Sequence, residues 1–395
     1  MRQLLVLLLC IGILVIWMNA DVEVGRNSVK ENQISQIRYG DFKLYVDGND
    51  LYRDLFADID RAKQYIYLHF YIVGKDKVSK KFLQLLKQKA ASGVDVKLSV
   101  DRVGGYKINK KTIQELEQSG VQFTFSKKPR FKNFFYTLHN RNHRRIAVVD
   151  GNISYVGGFN IGNEYLGEDR RFGKWRDYHV RITGSGAQDM KSQFAKDWEL
   201  DTGKELSPYE ITAIQGSNKY RYVFTDGKGL WTTYYKEMIQ SAKTSIVIAT
   251  PYFVPSKEMM TGLQNALQRG VRLQILVPFK SDALLLKQAA YSYLEKLLRF
   301  GAEIYQYRDG FFHGKVTLID DKFADIGTAN FDNRSFYINA ESDCFIYEGK
   351  IIGEIQRSLQ RDFQEAKQFS EKDFEKMNMW DKFLARVSKV LSFYL

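Results

Sequence analysis

The hydrophobic and polar positions repeat one long pattern twice along the chain. An apolar run at residues 66–71 follows an amphipathic helical stretch, and a similar run at residues 246–253 follows another. After each run, a second helical stretch ends at a glycine and a new strand begins. Strands that alternate with helical stretches predict an α/β fold, with a mainly parallel sheet flanked by helices in each half. The repeat predicts two tandem domains, at residues 39–206 and 207–370, related by a pseudo-twofold axis.

The N-terminus departs from this pattern, because 15 apolar residues, Gly12 included, run from Leu4 to Met18. As a helix the run would be roughly 22 Å long, short of the ~30 Å hydrocarbon core of a bilayer unless flanking residues extend it. We predict a transmembrane anchor at residues 1–20 and a polar tether at residues 21–38. The alternative is a cleaved signal peptide, although the small residue expected three positions before the cut is missing. The few charges around the run weakly favour a body outside the cell.

A second amphipathic pattern occupies the C-terminal residues 371–395. Its apolar side chains recur at helical spacing, and cations lie off the stripe. The stripe consists of Trp380, Phe383, Leu384, Val387, Val390, Leu391 and Tyr394. The predicted helix either packs on the domain or lies in a membrane interface.

Cations and aromatic residues are interleaved at residues 127–136, just before His139. In a nucleic-acid enzyme such a segment would contact phosphates and stack on bases. In a membrane enzyme it would be an interfacial loop, with rings among the lipid headgroups and cations on acidic phosphates. A packed aromatic connection with solvated lysines is the third interpretation.

The amino-acid composition limits the classes of partner and the kinds of metal site that the protein can have. The 395 residues carry a formal net charge of +13, which favours an anionic partner, either nucleic acid or an acidic membrane surface. The chain has 2 cysteines, too few for a disulfide framework or a cysteine-based zinc site. It has 5 histidines, which leave little for a metal cluster once two are assigned to the motif described next. We therefore predict a reaction that uses no metal and no other cofactor.

One short motif occurs in both halves. Each copy has a histidine, a cation two residues later, four apolar residues and an aspartate, followed by an asparagine. The first copy consists of His143, Arg145, Asp150 and Asn160, and the second of His313, Lys315, Asp320 and Asn330. The apolar residues indicate a short buried strand, so the histidine and the cation share one face at its open end. We expect the pseudo-twofold axis to bring both histidines, at the C-terminal ends of equivalent strands, into one cleft.

These residue types suit the chemistry of a phosphodiester. A histidine can attack phosphorus, and it can also protonate a leaving alkoxide near neutral pH. The cations and the asparagine amides can hold the non-bridging oxygens, where negative charge develops in the transition state. The double motif therefore predicts a catalytic set made of the two histidines, the two cations and the two aspartates, with the aspartates favoured as braces for the loops.

The double motif resembles the H-x-K-x4-D signature of the phospholipase D superfamily. The residues around it, including 157–167, 175–177, 250–255 and 327–335, are similar to the bacterial cardiolipin synthase branch, and the likeness extends from about residue 40 to the C-terminus. Arg145 departs from the superfamily pattern, which has lysine there. The substitution keeps the positive charge but replaces a compact ammonium with a wider planar fork.

The resemblance implies two tandem phospholipase D-like domains and assigns further roles. Asp177 and Glu341 would orient the histidines, and His143 would be the nucleophile with His313 as acid and base. The substrate would be phosphatidylglycerol in an anionic membrane, at the cytoplasmic leaflet, with no nucleic-acid partner expected. Nothing in the sequence indicates an oligomeric state.

Two other classes of function remain open at this point. A membrane-tethered phospholipase D-type hydrolase or nuclease would share the catalytic core but pass the intermediate to water or to a nucleic acid. A catalytically inactive lipid-binding protein is the alternative outside enzymes, and Arg145 motivates it.

Overall fold

A computed structural model describes residues 2–27, 33–206, 216–227, 229–282, 285–376 and 384–385. The helices of the first part of the chain are α1 (Arg2–Asn27), α2 (Gly48–Arg61), α3 (Lys77–Ala91), α4 (Lys110–Gln118), α5 (Phe134–His139) and α6 (Ala187–Thr202). Its strands are β1 (Gln33–Ile34), β2 (Arg38–Tyr45), β3 (Tyr65–Phe70), β4 (Asp95–Asp101), β5 (Gln122–Ser126), β6 (Ile146–Val149), β7 (Ile153–Gly157), β8 (Trp175–Arg176) and β9 (His179–Gly184).

The second part repeats the main strands and helices of the first and contains short elements of its own. Its helices are α7 (Leu230–Ser241), α8 (Lys257–Gln268), α9 (Leu286–Arg299), α10 (Asn333–Tyr337), α11 (Lys350–Gln364) and α12 (Glu371–Glu375). Its strands are β10 (Asn218–Thr225), β11 (Ser245–Ala249), β12 (Phe253–Val254), β13 (Arg272–Pro278), β14 (Glu303–Tyr307), β15 (Phe311–Phe312), β16 (Val316–Ile319), β17 (Phe323–Gly327), β18 (Phe331–Asp332), β19 (Glu341–Glu348) and β20 (Ala366–Phe369).

The strand order shows the duplication directly. In the first half the order across the sheet is β2-β9-β7-β6-β3-β4-β5, and in the second half it is β10-β19-β17-β16-β11-β13-β14. Strands β2 and β10 pair antiparallel, so the two halves form one continuous sheet of 16 strands. The predicted tandem architecture is therefore present, with the two domains joined edge to edge.

The prediction of a mainly parallel sheet is wrong, because the sheet is mixed. Among the described strands of this sheet, β3, β4 and β5 are parallel in the first half, as β11, β13 and β14 are in the second, and the other neighbours pair antiparallel. Strands β6 and β7 pair antiparallel through a turn at residues 150–152, and β16 and β17 do so through residues 320–322. Such short connections can only form hairpins, because a parallel crossover needs a dozen or more residues.

Helices α6 and α11 cover the same face of the sheet and bury a core that both halves share. Phe194 of α6, Ile355 of α11, Tyr65 of β3 and Tyr222 of β10 belong to one apolar cluster and are almost completely buried. Close-packed interiors resist deformation. The shared core therefore holds the two halves in a fixed relation to each other.

The anchor predicted at residues 1–20 falls on helix α1. Within the residues that the structure describes, no helix has both the length and the apolar character needed to cross a membrane. Helix α1 continues to Asn27, so the predicted tether at residues 21–38 is wrong for its first part. The helix continues because its end packs on the body: Val22 is buried against Tyr136, and Asp21 accepts a hydrogen bond of 2.9 Å from the Tyr136 N–H.

Of the amphipathic helix predicted at residues 371–395, the structure contains α12 at its start. Residues 377–383 and 386–395, which carry most of the apolar stripe, lie outside the described residues.

Candidate active site

The two histidines lie in loops that precede matching strands. His143 is three residues before β6, and His313 is three residues before β16. The expectation that they occupy the C-terminal ends of strands is wrong. Because β6 runs antiparallel to β3, the start of β6 lies at the edge where the parallel strands β3, β4 and β5 end. Ligands of α/β sheets bind at that edge.

Backbone hydrogen bonds tie each histidine loop to the opposite half. The N–H of His143 donates to the Ala340 carbonyl at 2.8 Å, and the N–H of His313 donates to the Arg176 carbonyl at 2.7 Å. Strands β15 and β8 also pair across the halves. Arg145 acts electrostatically on both imidazoles. The two histidines therefore share one site at the junction of the domains.

The carboxylate that orients His143 comes from the second half. His143 Nδ1 lies 3.0 and 3.1 Å from the two carboxylate oxygens of Glu341, the first residue of β19. Glu341 is fully buried and is held in turn by the hydroxyls of Thr328 at 2.6 Å and Ser335 at 2.9 Å. An acceptor at Nδ1 places the proton on that nitrogen. The lone pair of Nε2 is then available for a substrate.

The carboxylate that orients His313 comes from the first half. Asp177 Oδ2 lies 2.6 Å from His313 Nδ1. Asp177 is fully buried and also accepts hydrogen bonds from the Tyr178 N–H at 2.8 Å and the Trp175 indole at 3.3 Å. Each histidine therefore depends on the other domain for its tautomer. The two positions were predicted, but this exchange between the halves was not.

Burial controls the protonation of the pair. It lowers the pKa of His143 to about 4, and the charge of Arg145 adds to the effect, so this imidazole is neutral at pH 7. Burial and Lys315 also lower the pKa of His313. Burial acts to raise the pKa of Glu341, but His143 and the Thr328 hydroxyl hold it below its ordinary value. The carboxylate is therefore the ionised member of that pair.

The two cations of the motif occupy equivalent places. Arg145 donates to the carbonyl of His143 at 2.6 Å, and Lys315 donates to the carbonyl of His313 at 2.7 Å. Both side chains are buried. The Arg145 Nε is a buried donor without a hydrogen-bond partner among the described residues, so the guanidinium keeps capacity for an anion. Burial lowers the pKa of Lys315 to about 8.

The two asparagines are buried beside the loops that carry them. The Asn160 side chain accepts from the Ile72 N–H at 3.0 Å and donates to the Tyr165 hydroxyl at 3.1 Å. The Asn330 Oδ1 is buried and accepts no hydrogen bond within the part of the chain that the structure describes. Asn160 is thus held firmly by the protein, whereas the carboxamide of Asn330 has capacity left for a ligand.

The two aspartates of the motif do not take part in the histidine pairs. Asp150 accepts hydrogen bonds from three backbone N–H groups at residues 63–65, where β3 begins. Asp320 makes the same contacts with the N–H groups of residues 243–245 and with the Thr244 hydroxyl. Their place in the predicted catalytic set stays a prediction, which these contacts do not support. The alternative assignment, as braces of the loops, agrees with these contacts.

Sequence reasoning missed several residues that shape the site. Tyr71 packs edge-on against the His143 ring with 5.0 Å between centroids, and Trp175 packs against His313 at the same distance. Thr328 and Ser335, which hold Glu341, lie inside the motif segment but had no role assigned. The aromatic end of the run at residues 66–71 was the available signal for Tyr71. Nothing in the sequence pairs it with a histidine.

The fold and this histidine pair define a phospholipase D-like protein with two tandem domains and one shared site. The chain belongs to the family described as cardiolipin synthase, PLD-like domain, which matches residues 55–198 and 235–363. It is 35% identical to the minor cardiolipin synthase ClsB of Bacillus subtilis over 399 residues, which cover 100% of both chains. It is 34% identical to a cardiolipin synthase of Listeria welshimeri over 360 residues, 89% of this chain and 74% of that one.

A solved structure shares the fold. The phosphatidylserine synthase of Haemophilus influenzae matches with a TM-score of 0.74 over 96% of this chain and 100% of that chain. The sequence identity is 15%, so the likeness concerns the fold alone.

Proposed function

We propose that the protein is a cardiolipin synthase. It transfers a phosphatidyl group from one phosphatidylglycerol to another and releases glycerol. The observation that carries the proposal is the pair of histidines, each oriented by a buried carboxylate from the opposite domain and accompanied by a buried cation. The names of the relatives support the choice of lipid.

The first step is attack on the donor lipid. The neutral Nε2 of His143 forms a bond to phosphorus, and the bond from phosphorus to the glycerol oxygen breaks. An anionic phosphodiester favours protonation of His313, and Asp177 at 2.6 Å stabilises the resulting imidazolium. That imidazolium gives its proton to the departing oxygen. Glycerol leaves, and a phosphohistidine remains.

In the second step His313 acts as the base and His143 is the leaving group. His313, now neutral, takes the proton from a glycerol hydroxyl of the second phosphatidylglycerol. The hydroxyl oxygen bonds to phosphorus, the bond to His143 breaks, and cardiolipin is released. Arg145, Lys315 and the asparagine amides hold the non-bridging oxygens in both steps. Both histidines return to their starting state, and the two lipids are the only molecules consumed.

A surface beside the site fits a lipid bilayer. On helix α1, Ile16 and Trp17 are exposed by 70% and 55%, and the neighbouring Phe131 is fully exposed. Trp17 contacts Phe135 with 4.9 Å between ring centroids, so the helix and the aromatic segment at residues 127–136 form one patch. Exposed apolar side chains among cations are typical of membrane interfaces. We infer that this patch rests on an anionic membrane, and we propose α1 as the anchor.

A product assay with lipid vesicles tests the function. Purified protein is incubated with phosphatidylglycerol vesicles, and cardiolipin and free glycerol are measured. Equal amounts of the two are expected, because each transfer releases one glycerol. Phosphatidic acid without cardiolipin would instead show that water is the acceptor and that the protein is a hydrolase. An inactive protein that gains activity when Arg145 is replaced by lysine would favour the lipid-binding alternative.

A further inference from the structure

A groove with charged residues in its walls lies beside helix α10, which follows the second catalytic motif. It has a volume of about 470 Å³, within the range of small-molecule sites. Its walls come from the end of α1, the start of α8, the middle of α9 and helix α10. The residues on which the argument depends are Arg26, Lys257, Lys296, Glu258, Asn333 and Tyr337.

The groove carries an excess of positive charge. Arg26, Lys257 and Lys296 line it, and Glu258 is the only acid among the described residues that line it. None of these three cations forms an ion pair with a described residue. The Arg26 guanidinium lies over the Tyr337 ring at 5.6 Å, which fixes it at the rim. Such a groove attracts an anion, because three cations face one carboxylate and none of the three is in an ion pair within the described part of the chain.

Helix α10 connects the groove to the histidine pair. It begins at Asn333, three residues after Asn330, so the two Cα atoms are at most about 11 Å apart. Ser335 of the same helix donates a hydrogen bond of 2.9 Å to Glu341, the carboxylate partner of His143. One short helix therefore contributes to the groove wall and to the support of the catalytic carboxylate.

We propose that this groove binds the phosphate of the acceptor phosphatidylglycerol. The inference rests on the proposed function, in which the catalytic cations are occupied by the phosphate of the donor lipid. A second anion in the same cleft would be repelled, so the acceptor phosphate needs cations of its own. The acceptor hydroxyl and its phosphate are separated by three carbon atoms. A phosphate in a groove beside α10 leaves that hydroxyl free to reach the phosphohistidine.

Two acceptors that differ in charge test the proposal. In detergent micelles, cardiolipin formation uses the anionic acceptor, whereas incorporation of labelled glycerol into phosphatidylglycerol uses a neutral one. The variants are Arg26→Gln and the pair Lys257→Gln with Lys296→Gln. For each lost cation we expect the phosphatidylglycerol concentration at half-maximal cardiolipin synthesis to rise about fivefold. Glycerol incorporation should fall much less.

Controls separate the groove from the catalytic function. Arg299→Gln removes an exposed cation from the same helix as Lys296, outside the groove, and should change neither reaction. Glycerol incorporation also reports that each variant is folded. Parallel losses in both reactions, or no loss in either, would overturn the acceptor site. A wild-type protein that incorporates glycerol but makes no cardiolipin would overturn the proposed function itself.

Discussion

The two histidine stations, His143 with Arg145 and Glu341 and His313 with Lys315 and Asp177, have the same arrangement but differ in their supporting residues. In both, a cation two residues after the histidine donates to the carbonyl of that histidine, at 2.6 Å for Arg145 and 2.7 Å for Lys315. Lys315 also lies 3.1 Å from both nitrogens of the His313 ring. Arg145 instead lies over the Tyr71 ring, 5.9 Å from its centroid. The first station has a permanent charge, whereas the second has a lysine that titrates.

The two carboxylates also differ, in the groups that donate hydrogen bonds to them. Glu341 is held by two hydroxyl groups, and Asp177 is held by a backbone N–H and an indole. The hydrogen bond to the histidine is shorter at Asp177, 2.6 Å against 3.0 Å. A shorter bond to a carboxylate stabilises an imidazolium more strongly. The difference supports the proposed division of the chemistry, in which His143 is the nucleophile and His313 carries the proton.

Removal of either imidazole should have the largest effect. His143→Ala and His313→Ala should each lower cardiolipin synthesis by about 10⁴-fold or more. A donor lipid with a nitrophenol leaving group needs no general acid, so the two variants should then behave differently. His313→Ala should release one nitrophenol per protein and retain a phosphohistidine, whereas His143→Ala should release none. The opposite result would exchange the two roles.

Neutralising the orienting carboxylates should lower activity less than removing the histidines does. Glu341→Gln and Asp177→Asn replace the carboxylate with a neutral amide, whose NH2 group can select the wrong histidine tautomer, and each should lower the turnover rate by about 10²- to 10⁴-fold. With the nitrophenol donor, Glu341→Gln should slow the burst, which is the rapid release of the first nitrophenol per protein. Asp177→Asn should leave this burst nearly intact. Equal effects of the two variants on the burst would show that the stations do not divide the chemistry. Circular dichroism of each variant serves as the folding control.

The pH dependence should separate the two cations. Burial lowers the pKa of Lys315 to about 8, so the side chain is charged below that pH and neutral above it. If its charge holds the phosphate, turnover should decline as the pH rises through about 8. Lys315→Arg should shift the decline to higher pH because arginine stays protonated, whereas Arg145→Lys should add a second group that titrates. An unchanged profile in Lys315→Arg would assign the alkaline decline to another group.

Local sequence patterns predicted most of the residues of the site. The contacts between the two halves could not be predicted, because they depend on the pairing of distant segments. The spacing within each motif placed His143 beside Arg145 and His313 beside Lys315, because neighbours in sequence stay neighbours in space. Which carboxylate meets which histidine depends on the pairing of β8 with β15 and on the contact of the His143 loop with Ala340. Those contacts join residues more than 130 positions apart in the sequence, and no local pattern contains them.

The sheet shows the same limit. Apolar runs and helix ends located most strands of the first half, but strand direction depends on the length of each connection. The prediction of a mainly parallel sheet took no account of the three residues between β6 and β7, which are too few for a crossover. This error also placed the histidines at the wrong ends of their strands. The turn residues Asp150 and Gly151, both with positive φ, were the available signal for a hairpin.

The smallest effect is expected at the bracing aspartates. Asp320→Asn removes a charged acceptor from the N–H groups that begin β11 and should lower stability by about 1 kcal/mol, with little change in turnover. Although burial opposes it, these hydrogen bonds lower the pKa of Asp320 to about 2. The carboxylate therefore stabilises the fold above the ordinary aspartate pKa, and this contribution is lost as the pH falls towards 2. Thermal unfolding of wild type and variant should accordingly differ most at neutral pH and converge in acid. A constant difference at all pH values would show that the charge of Asp320 does not brace the loop, and a large loss of turnover in Asp320→Asn at neutral pH would return this residue to the catalytic set.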